Sequence, residues 1–331
     1  MAGNPVIPVF HSVAEIPVGF GPSVAAIGNF DGVHLGHQEI LSAIVLEARA
    51  SGAQAVAITF DPHPEQFLRP AEAPRLLTPL DERLRLLALT GVDAVVVLPF
   101  DAALAQLSAR EFVRGILVEA LHLRSLHEGG NFRFGHRAQA GVEELKKFSA
   151  VFGFAVRIHS PVKVRGLEVS SSAIRELVAA GEMKRARWML GRPFAVRSMP
   201  ARGRGIGRRL LVPTVNLAAY DGLLPGFGVY VTRLTVGGRC FQAVTNVGNR
   251  PTFGAASFAV ESHILDFEPI ELDDKTPIDH PTDVDLSVGA PIELEFLLRL
   301  RGEREWPTPE ALKAQIFRDV ARAKRYFRLA K

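Results

Sequence analysis

Apolar and polar positions follow two different rhythms along the chain. Up to about residue 190, short apolar runs that are typical of buried parallel strands alternate with longer segments of helical periodicity. The predicted strands are Val24–Ile27, Ala55–Thr59, Ala94–Leu98, Leu123–His127 and Ala155–Ile158. The predicted helices are Gln38–Ala50, Pro79–Thr90, Ala109–Ala120, Gly141–Phe152 and Ser172–Ala180. This alternation predicts an α/β domain with a doubly wound parallel sheet, which binds ligands at the carboxyl ends of its strands.

The rhythm changes after a short predicted helix, Glu182–Leu190, which Gly191 and Pro193 terminate. The β-rich runs that follow are Gly228–Val236, Arg239–Val247, Ala259–Leu265 and Pro291–Leu300. The pair Gly237-Gly238 suits a hairpin turn between the first two runs. A last amphipathic helix follows Thr308. We therefore predict two domains, residues 1–192 and 193–331, the second being a small antiparallel β-barrel with a terminal helix.

Composition narrows the class of protein. The chain has 331 residues, 47% of them hydrophobic, and a formal net charge of +4. This balance suits anionic small ligands and is too weak to indicate nucleic-acid binding, because solvated arginines are common on any surface, so we expect no nucleic-acid partner. A single cysteine, Cys240, cannot form an internal disulfide, and the first residues lack the pattern of a secretory signal. These features predict a soluble cytoplasmic protein with no membrane partner.

The segment from Gly28 to His37 carries the strongest chemical signal. It follows an apolar strand, contains three glycines and leads into a helix. Glycines allow close approach of the main chain to a ligand, and a helix N-terminus directs N–H groups at an anion. Two imidazoles, His34 and His37, lie in the same segment and can donate to phosphate oxygens. The pattern predicts a binding site for a nucleotide phosphate.

Simpler interpretations of the histidines exist. A histidine pair at this spacing is often a surface or capping pair, and two imidazoles can also bind zinc. No further ligand of suitable spacing follows in the sequence, so a zinc site is not favoured. The remaining histidines of this half that we interpret as loop or surface residues are His63, His122, His127 and His136.

Four motifs in the first half together resemble one family. They are Gly28–His37, Thr59–Pro64, Gly130–Gly135 and Val169–Arg175. In this order they resemble the adenylyltransferase module of bacterial bifunctional riboflavin kinase/FAD synthetases, a nucleotidylyltransferase with a Rossmann-like sheet. The resemblance implies transfer of AMP from ATP to FMN, which yields FAD and pyrophosphate.

The resemblance also implies roles for individual residues. His34 and His37 would stabilise the triphosphate and the transition state, and Asp61 and Asn131 would line the flavin and metal side. The other residues assigned to the nucleotide are Gly28, Asn29, Phe30, Asp31, Gly36, Ser171, Ser172 and Arg175. The last three would hold the β- and γ-phosphates, because a helix N-terminus with a guanidinium binds anions.

A second set of motifs resembles the riboflavin kinase domain. They are Arg202–Arg209, Pro213–Leu217, Asn246–Gly254 and Val260–Phe267. The resemblance implies that Thr214 and Asn216 bind Mg²⁺ with ATP and that Glu261 takes the proton of the riboflavin hydroxyl. The residues implied to cradle the phosphates are Gly203, Gly205, Gly207 and Arg208. The chain would then make FMN from riboflavin and ATP as well as FAD.

Departures from the kinase pattern keep alternatives open. Leu211-Val212 stands where the family usually has Gly-Phe before Pro-Thr, and a Leu-Tyr-Gly element is not evident near the acidic stretch 268–285. One alternative is therefore an FAD synthetase with an impaired kinase domain. Another is an adenylyltransferase for a different acceptor such as phosphopantetheine. A third is a flavin- or nucleotide-binding regulator, suggested by the basic residues Arg318, Arg322, Lys324, Arg325, Arg328 and Lys331.

Overall fold

Two compact units make up the chain in a computed structural model. The structure describes residues 6–201, 214–250, 257–266 and 291–330. By their internal contacts, Met1–Ser171 form the first unit and Ser172–Lys331 form the second. The domain boundary predicted between residues 192 and 193 stays a prediction.

The first unit is built on a sheet of six parallel strands. Their spatial order is β1-β4-β3-β2-β5-β6. The strands are β1 (Val9–Phe10), β2 (Ser23–Ile27), β3 (Gln54–Asp61), β4 (Ala94–Pro99), β5 (Leu123–Gly129) and β6 (Ala155–His159). All five predicted strands are confirmed. The sequence analysis missed β1, because a strand of two residues leaves no readable apolar pattern.

Helices connect these strands. They are α1 (Leu35–Ser51), α2 (Pro64–Leu68), α3 (Leu80–Ala88), α4 (Ala102–Gln106), α5 (Ala109–Phe112) and α6 (Val142–Phe152). A π-helical segment, Val113–Ala120, continues α5. The predicted helix over 109–120 is therefore present, with its last eight residues π-helical and not α-helical. The two short helices α2 and α4 were missed, since five residues are too few to show helical periodicity. A small antiparallel hairpin, β7 (Lys163–Val164) and β8 (Leu167–Glu168), follows β6.

Apolar layers cover both faces of this sheet. Ala26 of β2 belongs to a buried cluster with Ile44 of α1. The neighbouring residue Ala25 belongs to a second cluster with Leu117 of the π-helical segment. Successive residues of one strand therefore point into opposite layers, as in a doubly wound fold. With both faces covered, the carboxyl edge of the sheet is the place left for a ligand.

The second unit begins within α7 (Ser171–Ala179) and contains an antiparallel half-barrel of seven strands. Its helices are α7, α8 (Met183–Leu190) and α9 (Pro309–Leu329). Its strands are β9 (Phe194–Ser198), β10 (Pro200–Ala201), β11 (Thr214–Leu217), β12 (Gly228–Val236), β13 (Arg239–Arg250), β14 (Ser257–Ile264) and β15 (Ile292–Gly302). Their spatial order is β10-β11-β14-β13-β12-β15-β9.

Local signals in this half behave as predicted. Gly237 and Gly238 both have a positive φ, and they connect β12 to β13 in register. Thr308 caps α9 by accepting from the amide of Ala311. The sequence analysis missed β9, a five-residue strand that pairs with β15. Within the described residues, no helix is long and apolar enough to cross a membrane.

Candidate active sites

The turn between β2 and α1 follows the last residue of β2, so it lies at the carboxyl edge of the parallel sheet. On this edge it lies between the ends of β3 and β5. Three of its residues have left-handed backbone conformations: Phe30 (φ 46°), Gly32 (φ 84°) and Val33 (φ 37°). Phenylalanine and valine adopt such angles only where surrounding contacts enforce them. The turn is therefore a specific shape that neighbouring groups must hold in place.

Asp31 is one of these groups. It is only 1% exposed, and its carboxylate accepts from the amides of Leu77 and Thr78, both at 2.9 Å. The Thr78 hydroxyl donates to the same carboxylate at 3.2 Å and accepts from the amide of Gly32 at 2.9 Å. The Asp31 carboxylate thus contacts the protein interior and shapes the turn from beneath.

His34 and His37 lie together where α1 begins. His34 is the N-cap residue, and its Nδ1 accepts from the His37 amide at 3.3 Å. The two rings stack with their centroids 3.6 Å apart. A substituent Cβ at Gly36 would lie 3.2 Å from the His34 ring, so glycine at this position leaves room for that stack. A neutral imidazole that accepts at Nδ1 carries its proton at Nε2, and His34 can therefore donate from that atom.

Burial changes the pKa of the His37 imidazole. Desolvation lowers the pKa of His37 well below its usual 6.5, and the neighbouring His34 ring lowers it further. The Nδ1 atom of His37 is buried and has no hydrogen-bond partner among the residues that the structure describes. At neutral pH the His37 imidazole is therefore uncharged, and it lies beside the N–H groups of the α1 N-terminus.

Asp61 and Asn131 follow the two strands that flank β2. Asp61 is the last residue of β3, Asn131 comes two residues after β5, and both are exposed. Parallel strands end at the same edge, so both residues lie on the edge that carries the β2–α1 turn. The predicted flavin residues are thus placed on either side of the predicted phosphate residues.

The serine-rich motif begins α7. The Ser171 hydroxyl donates to the carbonyl of Asp31 at 2.8 Å, which joins the start of α7 to the β2–α1 turn within the first unit. Ser172 is exposed and Arg175 is half-buried, and both belong to the second unit by their contacts. Their predicted role toward the phosphates stays a prediction.

Two of the histidines that we interpreted as surface or loop residues are buried: His63 lies in the loop between β3 and α2, as predicted, whereas the prediction was wrong for His127, which lies in β5. His63 is 5% exposed, caps α2 by accepting from the Glu65 amide, and lies 3.0 Å from the side-chain nitrogen of Asn29. His127 is 4% exposed, and each of its ring nitrogens has a side-chain partner. These partners are Glu47 of α1 and His159 of β6, both at 3.0 Å.

Glu128, the next residue of β5, is also buried. Its carboxyl accepts from the amide of Ile27 at 2.8 Å, one residue beyond the last pair of the β2–β5 ladder, Ala26 and His127. Burial raises the pKa of Glu128 well above its ordinary value, although the Ile27 hydrogen bond opposes this shift. The carboxyl therefore connects the ends of β2 and β5, from which the loops that carry Gly28 and Asn131 begin.

In the second unit, strand pairing brings distant residues together. Asn216 of β11 lies directly opposite Glu261 of β14, and Thr214 lies two residues earlier on β11. Asn246 of β13 is opposite Glu261 on its other side. The Glu261 side chain is exposed, whereas Asn216 is buried. The predicted phosphate-cradle residues Gly203, Gly205, Gly207 and Arg208 lie outside the described residues, as do Leu211, Val212 and the stretch 268–285.

Comparison with known proteins identifies both halves. A family model described as FAD synthetase matches residues 20–173, and one described as riboflavin kinase matches residues 190–327. The Escherichia coli K12 bifunctional riboflavin kinase/FMN adenylyltransferase is 33% identical over 322 residues, which is 97% of each chain. The protein of the same name from Pseudomonas fluorescens is 35% identical over 302 residues, covering 91% of this chain and 92% of the relative.

The chain belongs to the bifunctional riboflavin kinase/FMN adenylyltransferase family. A crystal structure of a Streptococcus pneumoniae protein described as a macrolide-efflux protein also matches, with a TM-score of 0.82 and 26% identity. The match covers 97% of this chain and 99% of that one. Since one fold can serve several functions, we take from this structure the fold alone.

Three aromatic residues of this family member were missed by the sequence analysis. Phe100 makes edge contacts with Phe60 and Phe67, with ring centroids 5.7 and 5.9 Å apart. They lie beside Asp61, and Phe67 is 41% exposed. An accessible aromatic surface of this kind suits a planar ligand. Phe60 was visible within its motif, but the three residues come from separate segments, and the sequence carried no signal that joins them.

Arg83 was missed as well. It lies on α3, is 0% exposed, and donates to main-chain carbonyls of Asn29 and Phe60. The available signal was its place among Leu80, Leu84 and Leu87 at helical spacing, where an apolar residue is expected. Among the described residues, no group of three or more His, Cys, Asp or Glu side chains is arranged to hold a metal ion.

Proposed function

We propose that this chain phosphorylates riboflavin to FMN in its second unit and adenylylates FMN to FAD in its first. The observation that carries the proposal is the β2–α1 turn, where two stacked histidines and a helix N-terminus meet at the carboxyl edge of the sheet. The placement of Asn216 opposite Glu261 on paired strands supports the second activity.

For adenylyl transfer, an FMN phosphate oxygen attacks the α-phosphorus of ATP while the bond to pyrophosphate breaks. Such a displacement needs positioning and donors for the developing charge, and no nucleophile from the protein. His34 donates from Nε2, and the first N–H groups of α1 add further donors. Ser171, whose hydroxyl donates to the carbonyl of Asp31 within the first unit, is assigned to the departing pyrophosphate.

The flavin side of the first site is assigned to four residues. Asp61 and Asn131 line the acceptor, at the ends of the strands that flank β2. The exposed face of Phe67, backed by Phe100, packs against the planar ring system. This arrangement brings the FMN phosphate toward the donors of the β2–α1 turn.

For the kinase reaction, Glu261 accepts the proton of the riboflavin hydroxyl as the hydroxyl oxygen attacks the γ-phosphorus of a first ATP, while the bond from that phosphorus to ADP breaks and ADP leaves. Thr214 and Asn216 are assigned to Mg²⁺ with ATP, since hydroxyl and amide oxygens are donors that suit this hard cation. The cation supplies charge neutralisation for the phosphates when it is bound. The pairing of Asn216 with Glu261 on adjacent strands supports these assignments.

Incubating the pure chain with riboflavin, ATP and Mg²⁺, and separating the flavins by chromatography, tests the proposal. We expect FMN to form first and FAD to follow. Formation of neither flavin nucleotide would overturn it. The cytoplasm is the compartment that we propose, because ATP is available there and the one cysteine forms no internal disulfide.

One second candidate has a specific observation in its favour. Leu211-Val212 replaces the usual Gly-Phe, and leucine cannot reproduce the backbone freedom of glycine next to a ligand. The second candidate is therefore an FAD synthetase with an impaired kinase domain. If the chain makes FAD from supplied FMN but neither FMN nor FAD from riboflavin, this candidate replaces the bifunctional proposal.

A further inference from the structure

A buried guanidinium supports the β2–α1 turn from beneath. Arg83 of α3 is 0% exposed, and its Nη1 donates to the carbonyl of Asn29 at 2.8 Å. Its Nη2 donates to the carbonyl of Phe60 at 3.1 Å and lies 3.9 Å from the Asp61 carboxylate. One side chain thus connects the loop after β2 with the end of β3.

These contacts determine the direction of one peptide group. The Asn29 carbonyl accepts from Arg83 and also from the Thr59 hydroxyl at 3.2 Å, so it points into the protein. The Asn29–Phe30 peptide is not among the cis bonds of the chain, and a trans peptide holds C=O and N–H in opposite directions. The N–H of Phe30 is therefore directed away from Arg83, toward the edge where the nucleotide phosphates are assigned.

The same contacts oppose a strained conformation. Phe30 has a φ of 46°, which a residue with a Cβ adopts at a cost. Two hydrogen bonds to the preceding carbonyl keep the peptide from rotating to relieve that strain. A lysine at position 83 has a single ammonium and lacks the planar fork that meets two carbonyls in fixed directions.

Charge adds to geometry. Burial lowers the pKa of Arg83, the carboxylates of Asp31 and Asp61 oppose that shift, and an arginine side chain stays protonated in proteins. A fixed positive charge beneath a water-poor site stabilises negative charge above it more strongly than an exposed one does. Arg83 therefore suits a site at which phosphate charge develops.

We infer that Arg83 is a positioning residue of adenylyl transfer, which aims the Phe30 N–H at the ATP phosphates and holds Asp61 on the flavin side. This inference rests on the proposed adenylyltransferase function. It assigns Arg83 no contact with either substrate, and it locates its effect in the chemical step.

Steady-state kinetics of FAD formation from FMN and ATP test the inference on the full chain. We expect Arg83→Lys and Arg83→Ala to lower kcat by about 10- to 100-fold, below the loss typical of removing a direct transition-state donor. The KM values for ATP and FMN should change less than kcat. Riboflavin phosphorylation by the same preparations should stay unchanged, which reports that the second unit is folded, and an unchanged thermal unfolding transition of the first unit reports that the first unit is folded.

Arg85→Met is the matched control. Arg85 lies on the same helix and pairs with Glu82 at 2.6 Å, away from the turn contacts made by Arg83. We expect this variant to form FAD at the wild-type rate. Added guanidinium ion should restore part of the kcat of Arg83→Ala, whereas methylammonium at the same concentration should not, because only a planar fork reproduces the two hydrogen bonds.

The outcomes separate the inference from the proposed function. A wild-type chain that makes no FAD from FMN overturns both. A wild-type chain that makes FAD, with Arg83→Lys and Arg83→Ala retaining its kcat, overturns the role of Arg83 alone. A proportional loss of both activities, or equal losses in Arg83→Lys and Arg85→Met, also overturns it. Should Arg83→Ala fail to fold, the kcat of Arg83→Lys decides.

Discussion

The two candidate sites are held together in different ways. In the first unit, one continuous turn carries the chemistry, and buried polar groups such as Asp31 and Arg83 hold its strained backbone from below. In the second unit, Asn216 and Glu261 meet only through the register of β11 against β14. A one-residue slip of that register would move every side chain of a strand to the other face. The first site therefore depends on buried side-chain hydrogen bonds to the backbone of a turn, and the second depends on sheet pairing.

The largest difference between the two sites is expected from Glu261→Gln, which should lower only the rate of FMN formation. Removing a general base costs about 10²- to 10⁴-fold in rate, so FMN formation from riboflavin should fall by that factor. FAD formation from supplied FMN should persist, because the first unit is unchanged. Flavin chromatography with each substrate measures both rates.

A control for this variant is Glu295→Gln, on the same half-barrel. Glu295 forms an ion pair with Arg233 at 2.8 Å that is partly exposed, and such pairs contribute little. We expect wild-type kinase activity from it. Parallel loss of both reactions in the folded Glu261→Gln chain would contradict the two-site account.

His34→Ala and His37→Ala should produce the opposite pattern. Loss of a preorganised donor costs roughly 10²- to 10³-fold, so FAD formation from FMN should fall by that factor while riboflavin phosphorylation continues. His11, which is exposed, supplies the control His11→Ala. Wild-type FAD formation by either α1 variant would remove that histidine from the proposed mechanism.

Glu128→Gln should change the pH dependence of the stability of the first unit and leave that of the second unit unchanged. A carboxyl whose pKa is raised by folding stabilises the folded chain fully below its unfolded pKa, and that contribution is lost as pH rises through the folded pKa. The glutamine keeps an acceptor for the Ile27 amide but does not titrate. Between pH about 4.5 and the raised pKa, wild-type stability should therefore fall more steeply with pH than that of the variant.

Calorimetry at a series of pH values measures this difference. We expect the relative Tm of Glu128→Gln to increase by a few degrees toward higher pH, since 1 kcal/mol corresponds to roughly 2–4 °C for a domain of this size. The transition assigned to the second unit provides the internal control. Identical pH slopes for the two chains would show that Glu128 does not change its protonation on folding.

The smallest effect is expected from pH on the first reaction itself. Because burial and His34 lower the pKa of His37 well below 6.5, its imidazole stays neutral across the neutral range. The kcat of FAD formation should therefore not increase as pH is lowered from about 8 to about 6.5. An acid-side increase that disappears in His37→Ala would indicate that a charged imidazole is the active form.

Sequence patterns predicted what lies close together along the chain. The turn with His34 and His37 could be found because strand, glycines and helix start are consecutive. The burial of Arg83 had a signal in its place among apolar residues of α3, but its contacts could not be predicted, since its carbonyl partners are 54 and 23 residues away. The aromatic surface of Phe60, Phe67 and Phe100 was missed for the same reason. The opposition of Asn216 and Glu261 required a register that no local pattern specifies.

The chain of hydrogen bonds from Glu47 through His127 to His159 has a consequence for how this protein could diverge. It links α1, β5 and β6, and Arg157 lies 3.5 Å from the same Glu47 carboxylate. Replacing His127 alone by an apolar residue would leave a partly buried acid without one of its partners. Substitutions at these positions should therefore covary among descendants of this sequence, with Glu47 and His159 released from constraint wherever position 127 becomes aliphatic.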